Sequence, residues 1–411
     1  MTITRKIPGL ILTEREHSVP LDHVDPEGKR ITVFSREVAD PEGQERPLLV
    51  FLQGGPGSEA PRPSRTDSSP PWLGRALQDF RVLMLDQRGT GRSSPIGTNL
   101  LGSPEEQANY IAHFRADSIV ADAEWIRREL EVERWSVLGQ SFGGFCAMRY
   151  LSAAPEGLRE VLFTGGVPPL EAHIDEIYRA TYARMRECNG RFYERYPEDR
   201  ERMLALLGRV ESDPLRLPSG DRLHPGRVRQ LGSMLGMSDG QERLHYLLEL
   251  DFDSPAFLHD AEDATTFARN PLYAILQEAC WANGGTTEWS ARRVMAEQQG
   301  EWPQEYFTGE HVFPWVFDEP SMEPLREAAE LLSAREWPAL YDMEGLRSNE
   351  VPAAAAVYAN DPYVERGFSE ETAARVPGLR LWLTNELDHD GLRKQGERVV
   401  GRLLDMARER I

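Results

Sequence analysis

Short runs of apolar and β-branched residues recur along the first part of the chain: ITVFSREV from Ile31, PLLVFLQ from Pro47, RVLMLD from Arg81, RWSVLG from Arg134 and REVLFTG from Arg159. Bounded by turn residues, runs of this length read as strands. Between them the apolar positions change to helical spacing. In SIVADAEWIRRELEV from Ser118, the side chains of Ile119, Ala123, Ile126 and Leu130 share one face. Strands alternating with helices predict an α/β unit whose sheet is mostly parallel. From about Leu170 to Tyr341 the pattern is helical, rich in Arg, Glu, Leu and Tyr, broken by Pro and Gly, with no strand signal. Strand signals return in VPAAAAVYAN from Val351 and LRLWLTN from Leu379, ahead of an amphipathic helix from about Arg393 that carries Val399, Leu403 and Met406. The expectation is one α/β domain over 1–169 and 346–411, interrupted by a helical cap over 170–345. The Pro/Ser-rich stretch from Ala60 to Pro71 reads as a loop.

A length of 411 residues suits one such domain with a large insertion. An apolar content of 40% and a charged content of 28% are those of a folded globular chain, so disorder is not the reading. Lys and Arg number 47 against 67 Asp and Glu, a net charge of -20, which argues against a nucleic-acid partner because phosphate neutralisation needs the opposite excess. Cys146, Cys188 and Cys280 are too scattered for a disulfide framework, and no CxxC or CxxH cluster points to zinc, so they read as reduced, packed thiols. The opening MTITRKIPG lacks the apolar run of a signal peptide, and no stretch has the length and apolarity of a membrane span. A cytoplasmic protein without a membrane partner is expected.

The chemistry enters at Gly139-Gln140-Ser141-Phe142-Gly143, between the strand WSVLG and the helical run FCAMRYLSAA. Glycines two residues either side of a serine permit a tight strand-to-helix turn that lifts the hydroxyl above the sheet edge. A serine hydroxyl is a poor nucleophile at neutral pH, so it needs a histidine to take its proton and a carboxylate to orient that histidine. On this kind of scaffold both follow the serine, on loops after the last strands, and His389 is the one histidine beyond His311. Asp361 follows the strand AAAAVYAN and precedes Pro362, which biases it toward extended backbone at the strand's end. Asp388 and Asp390 flank the histidine too closely to reach its ring well, and Asp342 precedes the strand, so Asp361 is favoured as the third member.

The second motif, Gln53-Gly54-Gly55-Pro56-Gly57, follows the strand LLVFLQ. Bare backbone there can aim N–H groups at a developing oxyanion. Pro56 has none to give, so Gly55 is the natural donor, with Phe142 N–H, at a helix N-terminus, as its partner. The GK[ST] ending of a phosphate loop is missing and no GxGxxG spacing fits. A third stretch, DQRGTGRS from Asp86, follows the strand RVLML and reads as support beneath the oxyanion loop.

GGPG, DQRGTGRS and GQSFGG, in that order and spacing, resemble the prolyl aminopeptidases, also called proline iminopeptidases, of the α/β-hydrolase fold, and the length of the cap resembles their larger bacterial branch. Gln53 is a departure, since many members have histidine before GGPG. The resemblance implies a peptidase that removes N-terminal proline from peptides through an acyl-enzyme, with no metal or organic cofactor. It also implies cap carboxylates that hold the free amino terminus. YAILQEACWANG with Glu278 and FTGEHVFPWVF with Glu310 look similar to the segments that carry them, and Trp281, Phe313 and Trp315 are the aromatics expected near the pyrrolidine. A partly desolvated ammonium needs such a partner, because an unpaired buried charge is costly. A carboxylesterase or amidase on the same scaffold is the alternative, since fold does not fix function; a non-catalytic binding protein is a further one, disfavoured because Ser141, His389 and the oxyanion glycines are all present.

Overall fold

The computed structural model describes residues 2–64, 69–298 and 300–411. The strands are β1 (Thr2–Ile7), β2 (Leu10–Pro20), β3 (Arg30–Ala39), β4 (Leu48–Leu52), β5 (Arg81–Asp86), β6 (Trp135–Gln140), β7 (Leu158–Thr164), a two-residue-per-arm hairpin of β8 (Leu215–Arg216) and β9 (Arg222–Leu223), then β10 (Ala353–Tyr358) and β11 (Leu379–Thr384). Among the described residues, nine of them form one sheet in the order β1-β2-β3-β5-β4-β6-β7-β10-β11. From β5 to β11 every neighbouring pair is parallel, while β1, β2, β3 and β5 pair antiparallel. The sheet is therefore mostly parallel, and its inner strands β4, β6 and β10 are buried at every position. Strands covered on both faces have no polar alternation to keep, which is why they read as continuous apolar runs.

Successive residues of those strands feed two cores. Val50, Leu52, Val137, Phe163 and Ala355 join the core beneath the helix Phe142–Ala153. Leu49, Phe51, Leu138, Leu162 and Ala356 join the one beneath the closing helix Gly396–Ala407, where Val399 and Leu403 are fully buried. That closing helix is preceded by a separate turn, Gly391–Lys394.

The hairpin β1–β2 is a departure from expectation. Its sequence mixes Thr, Arg, Lys, Glu and His among the apolar residues, and β1 lies at the sheet edge with no residue fully buried. An edge strand of this kind carries a weak periodic signal. The hairpin β8–β9 likewise interrupts a segment that reads as wholly helical; strands of two residues are too short for any period to show.

Between β7 and β10 the described chain adds no strand to the main sheet. Residues from Met185 to Ala261, joined by Phe307, hold a core of their own, where Met185, Phe192, Leu206, Leu231, Leu244 and Phe307 pack together. Other residues of the segment, among them Leu276, Val316, Leu332 and Leu346, join the core of the α/β unit instead. In the Ala60–Pro71 loop, Ser64 and Ser69 form a bridge, and 65–68 lie outside the described residues. All three cysteines are buried and free. Among the described residues, no helix is long and apolar enough to cross a membrane.

Candidate active site

β6 ends at Gln140 and the next helix begins at Phe142, so a single residue makes the turn. Ser141 makes it with φ 54° and ψ -124°, a conformation that L residues rarely adopt and that close packing must hold. The packing is visible at Gly143, where a Cβ would stand 1.9 Å from the Leu52 carbonyl oxygen. Only glycine lets the helix start this close to the end of β4.

His389, on the loop after β11, reaches Ser141 Oγ through Nε2 at 3.0 Å and Asp361 Oδ2 through Nδ1 at 2.7 Å. Asp361 lies just past β10, and its other oxygen accepts the N–H groups of Tyr363 and Val364 at 2.8 and 3.2 Å. A carboxylate held this way accepts from Nδ1–H, which leaves the Nε2 lone pair facing the serine. His389 and Asp361 are buried and Ser141 is half-buried. Burial opposes a charged imidazolium, yet the Asp361 charge and hydrogen bond, with Glu310 nearby, lift the His389 pKa above its ordinary value. The competing aspartates are occupied elsewhere. Asp342 caps the helix Met343–Arg347, and Asp390 accepts from the Ser238 N–H and hydroxyl.

The glycine loop presses on the nucleophile: a Cβ on Gly54 would stand 2.9 Å from Ser141 Cβ. Gly55 follows with φ 127°, open to glycine alone. Phe142, first in its helix, has an N–H with no intrahelical acceptor. Below the loop, Gln87 Nε2 donates to the Gln53 carbonyl at 3.0 Å, and Asp86 accepts from Arg62 and from the Ala60 and Arg92 N–H groups. Arg88, fully buried, pairs with Asp122 and donates to the carbonyls of Pro20, Leu21 and His113. The DQRGTGRS segment thus supports the loop.

Glu278 and Glu310 both come from the long segment between β7 and β10. Glu278 is buried; its Oε1 accepts the Ala291 N–H at 2.8 Å, while Oε2 has no partner among the described residues. Burial pushes its pKa up to about 7 against the hydrogen bonds from Ala291, Ser290 and Thr287. Glu310 is half-buried and hydrogen bonds with the Tyr273 hydroxyl; burial raises its pKa, while the positive charges of His389 and Arg393 draw it down. Tyr178 lies within electrostatic reach of both glutamates, and its buried hydroxyl is also without a partner among the described residues. The charge of Glu310 is felt at His389, and those of both glutamates at Tyr178.

Trp281 packs edge-on against Phe145 of the helix after the nucleophile, ring centroids 4.6 Å apart. Phe313 and Trp315, expected near the pyrrolidine, are placed differently. They line a cavity of about 410 Å³ with Arg229 and Trp302, and none of Ser141, Asp361 and His389 borders it. Trp315 packs edge-on against His224.

Sequence reasoning missed several neighbours. The Tyr363 ring stands edge-on to His389 at 4.8 Å, and its hydroxyl accepts the Gly236 N–H and donates to the Ser233 carbonyl. His389 N–H donates to the Gly236 carbonyl at 3.1 Å. Residues 233–238 are thereby fastened to the histidine loop, although nothing in their sequence marks them. Among the described residues, Glu198, Asp199 and His245 bring possible metal-ligand atoms within 4.8 Å of one another. Asp199 is already engaged there by Arg202 and His245.

A serine at a strand-to-helix elbow, with the acid and the histidine following it on loops past later strands, defines an α/β-hydrolase. Residues 47–210 match the family model described as the alpha/beta hydrolase fold. Within that class the chain is 46% identical to a proline iminopeptidase of Aeromonas sobria, over 95% of each chain. It is 33% identical to the proline iminopeptidase aneH of Aspergillus aculeatus, covering 98% of this chain and 95% of that one. A probable proline iminopeptidase of Streptomyces coelicolor matches over 41% of this chain and 46% of its own, at 31% identity. The chain belongs to the proline iminopeptidase family.

Proposed function

We propose that this protein is a serine aminopeptidase that releases N-terminal proline from peptides, with residues 170–345 as the cap that selects the free amino terminus. The observation that carries the substrate reading is a pair of unmet buried polar groups, one on Glu278 and one on Tyr178. Glu278 Oε2 and the Tyr178 hydroxyl are buried without partners among the described residues, and an unmet buried polar group costs about 1–3 kcal/mol. A substrate ammonium supplies the missing donors and ionises both glutamates. Trp281 stands as the ring contact for the pyrrolidine.

In the reaction, His389 Nε2 takes the Ser141 hydroxyl proton as Oγ attacks the prolyl carbonyl, and Asp361 stabilises the imidazolium. The N–H groups of Gly55 and Phe142 hold the oxyanion; each such donor contributes about 2.7–4 kcal/mol in the transition state. His389 then protonates the leaving amine, the C–N bond breaks, and a prolyl ester forms on Ser141. Water, deprotonated by the same histidine, attacks that ester and releases proline. No step requires a metal or an organic cofactor. The buried, free thiols support a cytoplasmic location.

Glu278→Gln and Glu310→Gln test the amine role. Each is expected to lower kcat/KM on a prolyl anilide by roughly 10- to 100-fold, the size of a charge-assisted hydrogen bond, and to spare an N-blocked ester. Equal loss on both substrates would remove the glutamates from amine binding.

A further inference from the structure

Against the oxyanion loop lies a cavity of about 400 Å³. Its walls include Gln53 and Gln140, which directly precede the oxyanion loop and Ser141, and Leu392 and Arg393, which follow the histidine. Arg269 borders it as well. The two arginines differ in state. Arg269 is held by Glu59, at 2.5 and 3.2 Å. Arg393 is exposed, and its guanidinium makes no hydrogen bond or ion pair with any described residue. Its charge is nevertheless felt at His389 and Glu310.

We infer that this cavity is the subsite for the released part of the substrate, and that Arg393 receives the C-terminal carboxylate of a short peptide. The inference rests on the peptidase reading above. Its ground is charge as well as position. Glu278, Glu310, Asp361, Asp388 and Asp390 crowd the site of a chain whose net charge is -20. A peptide bound by its ammonium among those acids brings a carboxylate at its other end, which the same field repels. An arginine with no acidic partner among the described residues, on the leaving-group side, reverses that repulsion locally and favours short, free-acid peptides over capped ones. Because the guanidinium is solvated, the preference it confers is modest.

The test compares prolyl-glycyl-glycine with its C-terminal amide, in the native protein and in Arg393→Ala, with prolyl anilide as the substrate that lacks a peptide tail. The native protein is expected to favour the free acid over the amide by roughly fivefold in kcat/KM at low salt. Arg393→Ala is expected to bring the ratio near one and Arg393→Lys to restore part of it, with the native preference fading as salt rises. The ratio carries the test because removing Arg393 also relaxes its pull on His389 and Glu310. Equal turnover of acid and amide by the native protein, or a preference that survives Arg393→Ala, would overturn the inference. Failure of the native protein on all three substrates would instead strike the proline reading, and the subsite with it.

Discussion

At the residue scale, Asp361 joins two tasks: one oxygen orients His389 and the other ties down the backbone of Tyr363 and Val364. In Asp361→Asn an amide oxygen can keep the backbone bonds, but the amide N–H then faces Nδ1 and favours the wrong tautomer. Turnover is expected to fall on the order of 10⁴-fold with little change in melting temperature. The pH profile of kcat/KM is a second prediction at this scale. His389 must be neutral, and its pKa is raised, so protonation removes the base at a higher pH than an ordinary histidine would. Glu278 must be ionised, and with a pKa near 7 it too loses its working form as pH falls. Glu310, also raised, acts in the same direction, so the acid limb on prolyl anilide should be steeper than one proton and become less steep in Glu278→Gln; a one-proton limb in the native protein would contradict the glutamate's role. Ser141 and His389 were legible because each carries a mechanical signature, the glycine-flanked turn and the lone histidine after the last strand. The glutamates came through family resemblance, since one acid among 67 has no mark of its own. Tyr178 and Tyr363 were not legible at all, because an aromatic residue in a helix or loop reads as packing until its hydroxyl is seen.

At the element scale, the inner strands and the helices were readable because burial on both faces leaves an uninterrupted apolar run. The edge hairpin β1–β2 was not, since solvent tolerates almost any polar residue there. The elbow depends on the close meeting of β4, β6 and the helix Phe142–Ala153. Gly143→Ala places a methyl group 1.9 Å from a carbonyl oxygen of the strand backbone, where no flexible side chain can yield. The change is expected to destabilise the fold by about 4 kcal/mol or more, read as a fall in denaturant midpoint together with lost activity; an unshifted midpoint would contradict the packing described.

At the scale of the whole molecule, the long insertion is two things. One portion folds on its own core around Phe192 and Leu206, and another returns to the core of the α/β unit. The pattern of helices along the sequence could not separate them, because amphipathic helices show that they bury a face without showing against what. The division explains how Glu278, on the returning portion, is set firmly beside the elbow helix through Trp281 and Phe145. The most direct test is the steady-state kcat/KM on prolyl, alanyl and leucyl anilides beside an N-blocked prolyl anilide and a simple p-nitrophenyl ester. The account predicts strong preference for the free prolyl substrate and near silence on the blocked one. Ready ester turnover with no preference for proline would contradict it, leaving a serine hydrolase whose substrate lies elsewhere.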